Sequence, residues 1–420
     1  FQQFYNMVDS VIVGKQLGVN ALAAVGSTGS INFMVLGFCI GICNGFAIPI
    51  AQAFGAKDTN RLKSYIANCA WCSILFAIVL TIIIGIFTKD ILTVMRTPAD
   101  IFDDAYIYIF IIFMGIPATI LYNMVSGVLR SLGDSFTPVV FLIFSSILNI
   151  ILDLILVKRM GVSGAAVATV TAQAVSGIIC LIYTVKKYRY LNFNKDDWKI
   201  SIKQMLQLCK MGIPMGLQYS ITAIGTIVVQ SCLNILGSTA AAGFAAASKI
   251  EQVFTQAYVA LGTTMATYCA QNMGAGKYTR IRKGFKSATL IGFIYAVVTG
   301  VIIFFVGKYM TIFFVSENVN QIMEYVDIYL RCVSVSFLPL VIVNLYRNGI
   351  QGMGYGLLPM TAGIAELVGR SGASLIASHF GSYMGICLAS PAAWVLAGTL
   401  LLIMYFEIMK GKKDRNLKNR

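Results

Sequence analysis

The segments AQAFGAKDTNR at residues 51–61 and AQNMGAGKYTR at residues 270–280 match each other at an offset of 219 positions. The identical positions in the first copy are Ala51, Gln52, Gly55, Ala56 and Arg61. The match extends outward, since ALAAVG from Ala21 pairs with AAAGFA from Ala240, and Gly133-x4-Pro138 pairs with Gly354-x4-Pro359 at an offset of 221. Self-similarity at a near-constant offset indicates internal duplication. The chain is therefore predicted to be two copies of one unit.

The composition places both copies in a membrane. Of the 420 residues, 58% are hydrophobic and only 12% are charged, whereas soluble domains carry about 25% charged residues. The apolar residues form runs of about 20 or more, the length that spans a hydrocarbon core of about 30 Å. We predict an all-α integral membrane protein with twelve transmembrane helices in two six-helix repeats. The expected spans are residues 1–17, 28–54, 62–88, 104–129, 136–157, 163–186, 205–236, 249–273, 284–314, 320–350, 356–379 and 382–409.

An even number of spans per copy gives both copies the same orientation, and such parallel repeats occur in secondary transporters. The predicted organisation is an amino-terminal lobe at residues 1–186, a cytoplasmic linker at 187–203, a carboxy-terminal lobe at 204–409 and a basic, disordered cytoplasmic tail at 410–420. Because Phe1 pairs with Ser220, we expect helix 1 to lack its opening turns. Pro117 and Pro339, each inside a span, predict bent helices.

The basic residues lie mainly on one side of the predicted membrane. The chain has 32 Lys and Arg against 17 Asp and Glu, and most of the basic residues lie in alternate loops and the tail. By the positive-inside rule this asymmetry places the basic side, with both termini, in the cytoplasm, and it favours the lipid bilayer rather than a nucleic acid as partner. Arg331 and Arg370 are the two basic residues that we single out inside spans.

Ionisable residues inside spans are costly, so each needs a function or a partner. Glu366 and Arg370 are four residues apart, on one helix face, and are predicted to form a structural ion pair. Asp327 and Arg331 have the same spacing near a helix end.

Asp9 and Asp153 have no basic neighbour at helical spacing. Asn149 precedes Asp153 by four residues, and Thr169 and Thr171 add hydroxyls in the sixth span. Two carboxylates with neutral oxygens suit a proton-exchange site or a monovalent cation; helix–helix hydrogen bonding is the alternative. The cluster occurs in one copy only, because the paired residues in the second copy are Val228 for Asp9, Arg370 for Asn149, Ser374 for Asp153 and Ala392 for Thr171.

Several motifs together resemble the multidrug and toxic compound extrusion (MATE) family, in its DinF-like and MepA-like bacterial branch. They are NMVDSVIVGKQLGVNALAAVG from Asn6, the repeated AQxxGA, RSLGDSFTP from Arg130, NIILD from Asn149 and GVSGAAVAT from Gly161. The resemblance implies a MATE-like fold with two lobes around a cavity, and exchange of substrates for Na+ or H+ by alternating access. It also implies a cation site, for Na+ or H+, at Asp9, Asn149, Asp153 and Thr171. Thr222 stands where NorM-like members carry a glutamate, so we do not expect that second cation site.

The leading hypothesis is an antiporter, not an enzyme, that exports amphipathic organic cations and needs no cofactor beyond its coupling ion, H+ or Na+. Its 18 Met, 26 Phe and 20 Tyr suit such a cavity, to which Tyr5, Gln218 and Tyr219 are assigned. We expect a multi-pass monomer in the bacterial cytoplasmic (inner) membrane. The alternatives are a lipid-linked oligosaccharide flippase of the same superfamily and an integral-membrane enzyme. A single histidine and two unpaired aspartates fall short of the catalytic groups that an enzyme would need. The lack of a Walker A match argues against coupling to ATP hydrolysis within this chain.

Overall fold

The computed structural model describes residues 2–95, 97–188, 191, 193–313 and 319–418. Within these ranges the chain forms fifteen α-helices and no strand. The helices are α1 Gln2–Leu17, α2 Val19–Ser27, α3 Gly29–Gly55, α4 Thr59–Val94, α5 Phe102–Met114, α6 Ile116–Ser131, α7 Phe136–Met160, α8 Val162–Lys187, α9 Ile202–Ile235, α10 Ser238–Gly274, α11 Tyr278–Val306, α12 Val319–Ser334, α13 Phe337–Gly352, α14 Leu357–His379 and α15 Tyr383–Lys418. Short 3-10 segments occupy Lys195–Trp198 and Gly307–Phe313. The predicted all-α membrane fold is confirmed.

By length and composition, seven of the described helices could cross a membrane, or nine spans if each of two bent helix pairs counts as one. The pairs are α5 with α6, bent by 43°, and α12 with α13, bent by 56°. The remaining predicted spans correspond to α1, which has 16 residues, and to α10 and α14. α10 and α14 contain the ionisable residues Glu251, Glu366 and Arg370, which lower their mean hydropathy.

The break between α5 and α6 follows from two residues. Gly115 separates the helices, and a Cβ atom there would lie 2.3 Å from the Val170 side chain of α8. Pro117 follows in the first turn of α6, where its missing N–H breaks no hydrogen bond. Close approach of α8 and the proline together place the bend here.

The turns after α3 and α10 show the internal repeat in the backbone. Lys57 has φ +58°, and Gly276, its counterpart at the offset of 219, has φ +68°. Asp58 caps α4 by accepting a hydrogen bond from the backbone N–H of Arg61 at 3.0 Å. Both copies of the AQxxGA motif therefore end a helix through one left-handed residue.

The chain divides into two compact units, Phe1–Ser220 and Ile221–Arg420. The division falls inside α9 and not at the linker, because the first half of α9 packs against α3. A Cβ atom on Gly41 would lie 2.5 Å from the carbonyl oxygen of Met215, and one on Gly45 would lie 2.5 Å from Cα of Gly212. These contacts leave no room for side chains, so the first unit includes residues assigned to the second lobe.

Each unit has its own apolar core. In the first, Phe46 and Phe113 are fully buried among α3, α5, α6 and α8. In the second, Tyr258, Phe285 and Phe337 pack together among α10, α11 and α13.

Two local predictions differ from the structure. Residues 18–27, left between spans, contain the short helix α2, which packs against α1 and α5. The tail predicted to be disordered continues as helix through Lys418. The tail contains no proline, and its Lys and Arg residues are good helix formers.

Candidate functional site

Helices α1, α7 and α8 of the first unit pack against one another and bring the predicted polar residues together. Asp9 lies on α1, while Asn149 and Asp153 lie on one face of α7, and all three are buried. α7 and α8 approach so closely at Gly164 that a Cβ atom there would lie 2.4 Å from the carbonyl oxygen of Leu156. Small residues on α8 thus determine how near its hydroxyls come to the carboxylates.

A chain of hydrogen bonds links the three helices. The amide Nδ2 of Asn149 donates to Oγ1 of Thr169 at 3.3 Å, and Oγ1 of Thr169 donates to Oδ2 of Asp9 at 3.3 Å. The carboxyl groups of Asp9 and Asp153 are close enough to interact directly. The structure thus places Asp9, Asn149 and Asp153 in one cluster.

Several oxygens of this cluster remain free. Within the described ranges, no N–H or hydroxyl group donates to Oδ1 of Asp9, to Oδ1 of Asn149 or to either carboxyl oxygen of Asp153. Two buried carboxylates that share a single donor, the hydroxyl of Thr169, are unfavourable when both are charged. The oxygens fit a shared proton or a hard monovalent cation held by carboxylate and amide groups. No group of three or more His, Cys, Asp or Glu residues suited to a metal ion occurs in the part of the chain that the structure describes.

Thr171 is the site residue that the structure does not bring into the cluster. It is exposed, while Thr169, two residues earlier, makes both hydrogen bonds. Two residues on an α-helix are about 200° apart, so a helix that turns Thr169 towards Asp9 turns Thr171 away. The hydroxyl that bonds Asp9 in this structure is therefore that of Thr169, and the assignment of Thr171 to the cation site stays a prediction of the family resemblance.

The structure describes the side chains of two of the three residues assigned to the substrate cavity. Tyr219 packs its ring edge-on against Phe33 with centroids 6.3 Å apart, and its Cβ would be 3.1 Å from a Cβ atom on Gly37. Gln218 is half-buried. The side chain of Tyr5 lies outside the described residues. Tyr219 is thus packed on α3 of its own unit.

The second unit contains a larger ionic cluster than predicted. Nη2 of Arg370 lies 2.6 Å from Oε1 of Glu366, and Nη2 of Arg347 lies 2.6 Å from Oε2 of the same carboxylate. Arg347 was missed because it is 19 positions from Glu366, on a different helix. Its place inside the predicted span 320–350 was the available signal.

This unit has two further polar contacts. The first was not predicted from the sequence, and the second has the spacing noted there. The hydroxyl of Tyr329 donates to Oε2 of Glu251 at 2.5 Å. Arg331 pairs with Asp327 at 3.0 Å, at the predicted spacing, with both side chains partly exposed.

The loop between α6 and α7 carries a third charged group. Asp134 accepts hydrogen bonds from the backbone N–H and the hydroxyl of Thr137, and Nζ of Lys187 lies 2.6 Å from its Oδ2. Burial raises the pKa of Asp134, but the hydrogen bonds from Lys187 and Thr137 outweigh it and hold the pKa below its ordinary value of 3.8. This carboxylate ties the start of α7 to the end of α8.

Comparisons with known proteins agree with this architecture. The MatE family model matches residues 1–155 and 214–370. The probable multidrug resistance protein YoeA of Bacillus subtilis (strain 168) is 28% identical over 98% of this chain and 91% of its own length. The probable multidrug resistance protein YpnP of the same strain is 30% identical over 83% of this chain and 78% of its own length.

A solved outward-facing structure of a multidrug resistance MATE family transporter of the MOP superfamily has a TM-score of 0.92 at 20% identity. The match covers 98% of this chain and 93% of that one. This likeness shows a common fold, while the family model matches parts of both units and most of the chain. The chain therefore belongs to the MatE family and is a multi-pass membrane transporter, not an enzyme.

Proposed function

We propose that this chain exports amphipathic organic cations from the cytoplasm in exchange for H+ or Na+, by alternating access. The observation that carries the proposal is the buried pair Asp9 and Asp153, with free carboxyl oxygens and only neutral polar neighbours. The names of YoeA and YpnP as probable multidrug resistance proteins support drug-like substrates. They do not favour the flippase alternative.

The cluster suggests how ion binding is coupled to a change in shape. One proton or Na+ on the Asp9–Asp153 pair removes the repulsion between the two carboxylates. Thr169 and Asn149 orient Asp9 and supply neutral oxygens. Because Asp9 is on α1 while Asp153 is on α7, loading the pair changes the force between these helices. Coupled exchange requires that the ion-loaded and substrate-loaded states exclude one another.

Everted membrane vesicles test the coupling directly. The proton gradient and the Na+ gradient are imposed separately, and ethidium accumulation is measured at matched protein abundance. Asp9→Asn and Asp153→Asn should each abolish gradient-driven accumulation but leave ethidium binding. Asp104→Asn, at an exposed acid in the first turn of α5, is the matched control and should transport normally. Full ion-driven accumulation by Asp153→Asn across the working pH range would refute the proposal.

The proposal includes a cytoplasmic-membrane location with a cytoplasmic linker and tail. The ten described cysteines are buried or half-buried, so we expect a thiol reagent to label them weakly. A cysteine introduced at Lys195, in the 3-10 segment of the linker, should therefore account for most of the labelling. We expect Lys195→Cys to be labelled by an impermeant thiol reagent in everted vesicles but not in intact cells. Labelling in intact cells would contradict the assigned orientation.

A further inference from the structure

The arginine cluster of the second unit consists of Arg347 on α13 and Glu366 and Arg370 on α14. A single carboxylate bridges two guanidinium groups, with one oxygen 2.6 Å from each Nη2. All three residues are more than nine-tenths buried, with exposed fractions of 7 to 8%. The hydrogen-bonded cluster therefore holds one buried positive charge in excess.

Glu251 is a half-buried acid of the same unit, but it does not neutralise the cluster directly. It accepts the hydroxyl of Tyr329 at 2.5 Å and acts on Arg370 only at longer range. Among the described residues, neither guanidinium lies within 4.0 Å of the Glu251 carboxylate. A buried charge without a close counter-charge is unfavourable in a medium of low dielectric constant.

The cluster also has hydrogen-bond donors without acceptors. The Nε–H groups of Arg347 and Arg370 and the hydroxyls of Ser371 and Ser374 are buried and unpartnered within the described ranges. In a guanidinium, Nε–H lies on the same edge as Nη2, so each free donor is beside the bond to Glu366. Ser374 lies one turn beyond Arg370 on the same face of α14. Free donors next to excess positive charge are the features of an anion site.

The internal repeat gives an independent comparison. At the offset of 221, Arg370 corresponds to Asn149 and Ser374 to Asp153. In the first unit these positions present oxygens without donors, and in the second unit they present donors without acceptors. The duplicated position thus has opposite polarity in the two units.

We propose that the arginine cluster binds one small monovalent anion, of the size of chloride, at the Nε–H of Arg370 with Ser374 and Arg347 as neighbours. The burial of the three charged residues excludes a bulky organic anion. The site is separate from the proposed exchange site at Asp9 and Asp153, so either proposal can fail without the other.

Thermal unfolding of the purified full chain in detergent tests the site. Sodium gluconate is replaced stepwise by sodium chloride at constant ionic strength and pH. We expect a saturable rise in Tm, of about 3 °C at ten times the dissociation constant, and the same behaviour with bromide. A Tm that does not depend on the identity of the anion would overturn the proposal.

Variants separate the site from a general salt effect. Arg370→Met removes the excess charge and one donor, and should lose the chloride response. Ser374→Ala keeps every charge and should weaken chloride binding roughly tenfold, which keeps the test valid if Arg370→Met folds poorly. Arg331→Met, at the partly exposed pair, should keep the wild-type response. An unchanged chloride response in Ser374→Ala would contradict the assigned site.

Crystals grown in bromide give a direct readout. Anomalous density should appear within hydrogen-bond distance of Nε of Arg370. Water alone at that position, in crystals containing bromide at a concentration that saturates the Tm effect, would refute the proposal.

Discussion

Among the described residues, Glu366 is the only acid whose carboxylate contacts Arg347 and Arg370, each at 2.6 Å, and replacing it by glutamine removes that carboxylate. Two buried guanidinium groups then face each other without a counter-charge. Breaking one buried ion pair costs about 3 to 5 kcal/mol, and Glu366→Gln breaks two. Folded domains are stable by only about 5 to 15 kcal/mol, so we expect little folded Glu366→Gln protein.

Arg370→Met has a different effect, because the pair of Arg347 and Glu366 remains and is neutral. The variant loses one charge-assisted hydrogen bond, worth about 1.5 to 3 kcal/mol, but also loses the excess buried charge. We therefore expect a loss of about 1 to 2 kcal/mol or less. An isolated pair of Glu366 and Arg370, as expected from spacing alone, predicts equal costs for the two substitutions.

The assay is folded yield by size-exclusion chromatography, together with Tm. Asp327→Asn and Arg331→Met are matched controls, because that pair has the same four-residue spacing but side-chain exposures of 25% and 48%. Each control should cost less than about 1 kcal/mol. The reasoning is refuted if Arg370→Met destabilises the protein as much as Glu366→Gln does.

Thr169→Val should weaken coupling-ion affinity by about tenfold or more, because it removes the hydroxyl that hydrogen-bonds Asp9, whereas Thr171→Val should leave affinity unchanged in the same vesicle assay. Asp134→Asn should lower Tm at neutral pH. Because the folded pKa of this carboxyl is lowered, its stabilisation is present above pH 3.8 and is lost as pH falls through the lowered pKa; a Tm difference that persists well below that pKa would contradict this. Gly41→Ala should cost about 1 to 3 kcal/mol or more, since the new Cβ would meet the backbone of α9 at 2.5 Å. Gly26→Ala, with open space around it, should cost almost nothing in the same unfolding measurement.

The sequence predicted most of the helices and the residues of the first polar cluster. Runs of apolar residues and prolines inside them are local signals, so they located most of the spans and the bends near Pro117 and Pro339. Asp9 and Asp153 could be selected because an unpaired charge inside a span is rare whatever its neighbours.

Partners on other helices could not be predicted in this way. The spacing of four residues links Glu366 to Arg370, but no spacing rule links either to Arg347 on α13. The choice between Thr169 and Thr171 depends on the rotation of α8 about its axis, which is set by its packing against α1 and α7. Contacts between helices of this kind depend on tertiary packing, and they produce no periodic pattern in the sequence.

Because the chain is duplicated, each half can be aligned with the other as if the two were homologous proteins. Lys57 and Gly276 are one such pair of corresponding positions. Both residues occupy the left-handed backbone region, which costs a residue with a Cβ atom roughly 1 to 2 kcal/mol. The second copy meets this requirement with glycine, while the first retains lysine in the same geometry. Each half can therefore suggest substitutions for the other. A residue found at a position in one copy is compatible with a backbone conformation that the corresponding position in the other copy also adopts.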